Sequence, residues 1–359
     1  MREEQARQST GSRGSSPALT EVKHLLRDWV EARMTPLSQT EGMSNLEKQL
    51  NAELRAAGLI CDWTAAGEQC PDWWQQGYLS DIEFRSEQGL LTLITHVGIE
   101  CGSDDSAYIY RWTKLHGWQR FFQTEQNNYT EKDYSPQNIR SVQFSPVDGS
   151  NDYLVLTLGN QPWCESNWHD IYYRVFRTGS AADPRPLVDG SEVGWVDQAI
   201  EGSITSNEAL VQFTIDGIED RRLAVRHFRI DHDTVSRVEP LALGPRGFVE
   251  EWLVNDWDKG ASGWSDSQRS PGLPNWHWKL HEGDLHGVFS DPTMHCPPTS
   301  DLWQVAFEFR DWPAKTYFLV RWRPPYRFTM VDVSNKPNPN CTEKDPDADD
   351  PQRTLFPIR

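Results

Sequence analysis

The 359-residue sequence is short of positive charge, with 35 Lys+Arg against 53 Asp+Glu and a formal net charge of −18. A nucleic-acid surface needs a basic footprint to neutralise phosphates, and an anionic membrane attracts basic segments, so neither partner is expected. A cationic partner or a metal ion fits this balance better. No run of about 18 apolar residues occurs, so no bilayer-spanning helix is expected. The opening residues, MREEQARQSTGSRGSSPAL, lack the apolar centre of a signal peptide. Also missing are a CxxC pair, a GxSxG elbow, a P-loop, a GxGxxG turn and an HExxH helix. No nucleophile or phosphate cradle is therefore identified by motif, and catalytic residues stay unassigned.

Against these absences stand 17 tryptophans. A Trp-rich, aliphatic-poor sequence makes its core from large flat side chains whose indole N–H groups need partners, a common solution in β-sheet proteins. The six cysteines are even in number. The close pair Cys61 and Cys70 and the later pair Cys296 and Cys341 fall in loop-like sequence, while Cys101 and Cys164 occupy equivalent places in two related stretches. Disulfides are the expectation, the alternative being six buried free thiols. Disulfides place the protein outside the cytoplasm, periplasmic or secreted, with an export signal not contained in this sequence. Two N-glycosylation sequons, at Asn128 and Asn340, matter only in a host that glycosylates.

Residues 1–16 are polar, rich in Ser and Gly, and read as a disordered tail. Segment 17–78 is helical at first. Ser16-Pro17 offers an N-terminal signal, and Leu19, Val22, Leu25, Leu26, Trp29 and Val30 recur at helical spacing until Pro36. Ser44 and Glu47 make a capping-box pattern, Leu46, Leu50 and Leu54 an apolar stripe, and Gly58 a stop. From about Leu79 the period shifts to 2 in short aromatic and β-branched runs broken by Gly, Asp, Asn and Pro. The last stretch, 337–359, is a Pro/Asp-rich tail without apolar pattern.

HVGIECGSDDSAYIYRW (96–112) and NQPWCESNWHDIYYRV (160–175) can be superposed, with Cys101 and Cys164 each ten residues before Arg111 and Arg174. LAVRHF at 223–228 and FLVRWR at 318–323 continue the series with Arg226 and Arg321, and the position ten residues upstream becomes Asp216 and Asp311. Three apolar residues lead into each arginine, another strand lies upstream, and an apolar segment follows in three copies. The reading is an all-β domain over 79–336, a propeller-like array of four or five antiparallel β units behind a short two-helix segment. A β-sandwich with the same strand count is the alternative. In that register the ten-upstream site lies between the second and third strands of each unit, and a Cys101–Cys164 bond would join neighbouring units.

Candidate sites follow from the same alignment. Arg111, Arg174, Arg226 and Arg321, with Asp216 and Asp311, form an expected ligand-binding set if equivalent positions converge; otherwise each arginine packs its stem on an aromatic neighbour and keeps its head in water. Four histidines fall in WHWKLHEGDLHGVFSDPTMHC. A hairpin is expected there, with Trp276–Trp278 on one arm and His286–Phe289 on the other, and His277 and His281 on one face. His277, His281 and His286 suit zinc, and Asp256 and Asp258 in NDWDKGASGW suit calcium. No cofactor is expected: a structural role is the leading account of these residues, with zinc or copper at the histidines and calcium at the acidic turn as the alternatives. Asp258, Gly260, Ser262 and Trp264 of that stretch resemble the Asp-box, a turn motif of sialidase-type propellers; the box is structural in that family, so the resemblance implies fold rather than catalysis.

The functional expectation is an extracytoplasmic binding or scaffold protein presenting loops to a glycan or protein ligand, its oligomeric state not set by sequence. The alternative is a secreted hydrolase, either of glycosidase or sialidase type or metal-dependent through the histidines of 277–295.

Overall fold

The structure is a computed structural model that describes residues 16–37, 43–60, 78–99, 102–126, 136–147, 152–178, 185–217, 221–238, 242–282, 287–290, 292–310, 314–323 and 327–345. The protein is mostly β, in antiparallel sheets, and divides into two compact units, Met1–Glu192 and Val193–Arg359.

The first unit opens with α1 (Ser16–Met34) and α2 (Met43–Ala56). Gly58 closes α2 at φ +71°, where the Leu59 amide donates back to the Leu54 carbonyl. Only glycine enters that backbone region without strain. Glu47 does not close a capping box; its carboxylate accepts the Phe84 N–H from the following sheet. That sheet runs β1 (Glu83–Glu87), β2 (Leu90–Ile99), β3 (Gly102–Thr113) and β4 (Gly117–Thr124), in chain order.

Side chains alternate across a strand, and here both faces of the sheet are covered. Leu91, Leu93, Val97, Ile99, Tyr108 and Tyr110 meet Leu19, Leu26, Val30, Leu46, Leu50 and Leu54 of the helices. On the opposite face Leu90, Ile109 and Phe122 meet Phe144, Tyr153, Val155 and Phe176 of a second sheet. That sheet is β5 (Asn138–Phe144), β6 (Leu154–Asn160), β7 (Trp168–Arg177) and β8 (Val188–Trp195), the last continuing past the unit boundary.

The second unit holds β9 (Glu201–Ile204), β10 (Glu208–Ile215), β11 (Arg222–Asp231) and β12 (Thr234–Arg237); β10 also pairs with β8 at Thr214–Trp195, so that these strands belong to one eight-stranded sheet, ordered β12-β11-β10-β8-β7-β6-β5 with β9 on β10. An inserted helical stretch follows: α3 (Pro245–Val254), a π-helical turn (Trp257–Ala261) and α4 (Leu273–His281). The last sheet contains β13 (Gly287–Phe289), β14 (Met294–His295), β15 (Leu302–Phe309), β16 (Thr316–Arg323), β17 (Arg327–Ser334) and β18 (Glu343–Lys344), ordered β17-β16-β15-β14-β18 with β13 also on β15. Its inner face, Trp303, Val305, Phe307, Phe318, Val320, Trp322 and Phe328, packs on Phe248, Trp252, Trp264, Leu273 and Leu280 of the insertion.

The aromatic core is the one the composition called for, and two of its buried indoles are partnered, while Trp118 Nε1 is buried without a hydrogen-bond partner among the described residues. Trp252 Nε1 donates to Ser265 Oγ at 2.9 Å and Trp303 Nε1 to Asp345 Oδ2 at 3.2 Å. Cys296 and Cys341 form a disulfide and Cys164 is disulfide-bonded too. The expected Cys61–Cys70 and Cys101–Cys164 pairings lie outside the described residues.

Each aligned arginine lies on a strand paired antiparallel with the strand before it: Arg111 on β3 with β2, Arg174 on β7 with β6, Arg226 on β11 with β10, and Arg321 on β16 with β15; the sheets themselves have four, eight and six strands, and among the described residues they are sandwich-like and form no closed propeller. Cys164 and Asp216 fall, as the register requires, between the two strands of their pairs; Cys101 and Asp311 lie outside the described residues. The expected hairpin at 276–289 is overturned. Residues 273–281 form α4, because Leu273, His277 and Leu280 repeat with helical period around Pro274 in the first turn, and 287–289 pairs with β15 instead.

Two consecutive tyrosines of β7 lie over cross-strand glycines. A β-carbon on Gly159 would overlap the Tyr172 hydroxyl and the Asn138 carbonyl, and one on Gly190 would overlap the Tyr173 ring. Gly159→Ala should therefore lower the urea midpoint clearly, with about 1–3 kcal/mol lost to overpacking. An unchanged midpoint would show that Tyr172 is free to move aside.

Candidate functional site

The most concentrated polar chemistry of the first unit sits where β3 begins. Asp104 and Asp105 are adjacent, so strand alternation sends their side chains to opposite faces, and both are buried. On the helical face Asp104 Oδ2 accepts from Lys23 Nζ of α1 at 2.7 Å, with both side chains wholly inaccessible. Asp104 Oδ1 also accepts the Gln137 N–H at 3.1 Å. On the other face Asp105 Oδ2 accepts the Ile139 N–H of β5 at 2.7 Å, and Oδ1 lies 2.8 Å from His96 Nδ1. Asp105 N–H donates in turn to the Gln137 carbonyl at 2.7 Å. Tyr172 is buried nearby, its hydroxyl donating to Asn138 O; burial first, and then the Asp105 carboxylate, raise its pKa well above the ordinary value, against Arg174.

A second network runs beside the first. Glu125 accepts from the Tyr108 hydroxyl and lies 2.7 Å from His24 Nε2. None of these carboxylates was singled out from sequence. The signal was the dipeptide Asp104-Asp105 inside a strand otherwise of apolar and small residues, a placement that demands a buried partner.

The four arginines are each engaged within their own unit. Arg111 lies over Phe121, 4.7 Å from the ring centroid, and near Tyr153. Arg174 covers Tyr172, pairs with Asp189 at 2.8 Å and donates to Gln137 Oε1. Arg226, buried, lies over Phe213 with Glu251 at 3.7 Å. Arg321 faces Asp301 at 3.4 Å and Asp266 at 3.9 Å. Three of the four thus pack on aromatic rings. Asp216 is exposed at the end of β10.

In the second unit Arg222 of β11 reaches Glu250 at 2.9 Å and Glu251 at 2.8 Å, fastening α3 to that strand. His277 and His281, one turn apart on α4, stack at 5.2 Å. Helices end with unpaired carbonyls, and these imidazoles supply the missing donors: His277 Nε2 to Trp252 O at 2.9 Å and His281 Nδ1 to Leu253 O at 2.8 Å. Burial depresses the His277 pKa, against the pull of the Trp252 carbonyl. His281 Nε2 stands 3.5 Å from Asp256 Oδ1. Asp256 and Asp258 are exposed on the π-helical turn, where the stretch resembling an Asp-box joins two helices. His286 lies outside the described residues. Among the described residues no group of three or more His, Cys, Asp and Glu side chains is arranged to hold a metal ion. On the outer side of α4, Trp278 is 65% exposed, while the other large aromatics of the described residues are mostly buried.

No protein-family model matches the sequence, and no curated protein is similar to it. Three solved structures share weak likeness. A Bombyx mori GH32 β-fructofuranosidase, BmSUC1, is 9% identical over 72% of this chain with a TM-score of 0.26, and the chain spans about half, 51%, of that enzyme. The protein BT0996, solved as an RGII complex, is 9% identical over 73% of this chain and 74% of its own length, with a TM-score of 0.24. A glycoside hydrolase is 11% identical over 72% and 76%, with a TM-score of 0.25. Likenesses of this size carry no conclusion about this protein's activity.

Two predictions test the acid pair. Lys23→Met leaves Asp104 charged and buried without its ammonium, and should cost about 3–5 kcal/mol of unfolding free energy by urea titration; adding Asp104→Leu should recover part of that loss. A double variant no better than the single one would deny the pairing. His96 gives the pH dependence. Burial alone would lower its pKa, but the hydrogen bond and charge of Asp105, helped by Glu83 at 3.8 Å and opposed by Arg85, raise it above 6.5. A folded pKa above the unfolded one means the stabilisation is complete below 6.5 and is lost as pH climbs through the raised value. Urea midpoints measured across about pH 5.5–8.5 should fall more steeply in the wild type than in His96→Gln; parallel profiles would remove His96 from the account.

Proposed function

We propose that this chain is an extracytoplasmic binding protein of propeller-like β architecture in which an inserted helical segment recognises a glycan. The observation that carries the reading is Trp278. Its indole is 65% exposed on α4, while Leu273, His277 and Leu280 anchor the same helix in the core. A large ring kept in water on a fixed helix suits the flat C–H face of a pyranose, which stacks on indole and hydrogen-bonds at its edge. The recurrence of an antiparallel strand pair carrying each aligned arginine, β2–β3, β6–β7, β10–β11 and β15–β16, supports the repeat. The Cys296–Cys341 disulfide supports an oxidising compartment. No described helix is long and apolar enough to cross a membrane.

The test is calorimetry of the purified protein against neutral, acidic and amino-sugar oligosaccharides. At least one class should bind, and Trp278→Ala should weaken it at least about tenfold, or about 1.4 kcal/mol. Leu115, 89% exposed on a turn of the first unit, gives the control variant Leu115→Ala, which should bind normally. Binding unaffected by Trp278→Ala would end the proposal, and release of sugar by the wild type would replace binding with hydrolysis.

A further inference from the structure

We infer that the glycan recognised by the Trp278 face is cationic, an amino sugar carrying free ammonium groups. This rests on the binding role proposed above and names its ligand class. Residues three, four and seven apart share one side of a helix, so Asn275, Trp278 and Glu282 form one exposed stripe. Glu282 keeps helical backbone angles, φ −77° and ψ −13°, and its N–H donates to the Trp278 carbonyl. Its carboxylate therefore emerges one turn beyond the indole, at the spacing of neighbouring side chains on a helix surface.

His281, between that stripe and the buried His277 on which it stacks, leads to Asp256, 3.5 Å from its Nε2 and 48% exposed. Asp258 is exposed two residues further along the turn. The basic side chain of this helix, Lys279, is turned toward Trp276, 5.9 Å from that ring. Glu282 thus gives the Trp278 stripe an acidic neighbour, on a protein of net charge −18.

Charge selects the occupant. A uronic acid would meet like charge at Glu282 and across the whole molecule. A neutral sugar would stack on the indole and leave that carboxylate unused. A glucosamine unit satisfies both parts, its C–H face on Trp278 and its ammonium toward Glu282, a charge-assisted contact.

The experiment is calorimetry at about pH 6, comparing a glucosamine oligosaccharide, its N-acetylated counterpart and an oligogalacturonate on the wild type, Glu282→Gln and Trp278→Ala. The glucosamine oligomer should bind the wild type at least tenfold more tightly than the acetylated one. Glu282→Gln should erase that preference and leave acetylated binding unchanged, while Trp278→Ala weakens both. Equal or tighter binding of the acetylated or acidic oligomer overturns the inference but leaves glycan binding standing. Glucosamine binding unchanged in both variants would trace it to overall charge and overturn the inference as well. No binding of any of the three sugars overturns the glycan reading with it.

Discussion

Two neighbouring carboxylates on one strand, facing opposite ways, fix the first unit. β3 is covered on both sides, so neither Asp104 nor Asp105 has water to turn to, and a buried charge without a partner is costly. Each carboxylate therefore recruits what lies over it. Asp104 draws Lys23 of α1 and Asp105 draws the amide of Ile139 and the ring of His96. Apolar packing of leucines and tyrosines would hold helix and sheets together in several registers, since hydrophobic contact is non-directional. Paired ionic hydrogen bonds admit one. Such a pair adds little net stability compared with well-packed apolar residues, and we regard its role here as setting alignment.

The second unit meets the same demand with other chemistry. α3 lies against β11, and its two glutamates are matched by Arg222 and Arg226 on the same face of that strand. The C-terminal carbonyls of α3 end inside the protein, and the imidazoles of α4 supply the donors they lack. Histidines that look like metal ligands by count are thus used as helix caps. Donation by one ring nitrogen does not by itself exclude ligation by the other; what separates this cluster from a metal centre is that among the described residues no group of three or more His, Cys, Asp and Glu side chains is arranged to hold an ion.

Much of the architecture was legible because its cause is local. The stripe Leu19, Leu26 and Val30 repeats with period 3.6 and becomes the buried side of α1; the runs ending in Arg111, Arg174, Arg226 and Arg321 alternate with period 2 and become the second strands of antiparallel pairs. What escaped was set by distant contacts. Trp276-His277-Trp278 has the composition of a strand, yet Leu273 and Leu280 find a core only when the segment is helical, and that core comes from β15–β17. Lys23 and Asp104 are 81 residues apart, and nothing near Lys23 marks it as a buried lysine. Glu47 carried a capping pattern but took the Phe84 amide instead, a tertiary partner displacing a local one.

The burial of these polar groups bears on where recognition can occur. Carboxylates locked to an ammonium or to backbone amides are acceptors already in use, so a ligand could reach them only by breaking a buried pair. Recognition then falls to groups held in place but facing water. α4 meets both conditions, since Leu273, His277 and Leu280 fix its inner side and Trp278 stands outside. The backbone that carries the indole is already ordered before binding, and that lowers the ordering cost which otherwise erodes the affinity of a small, shallow contact.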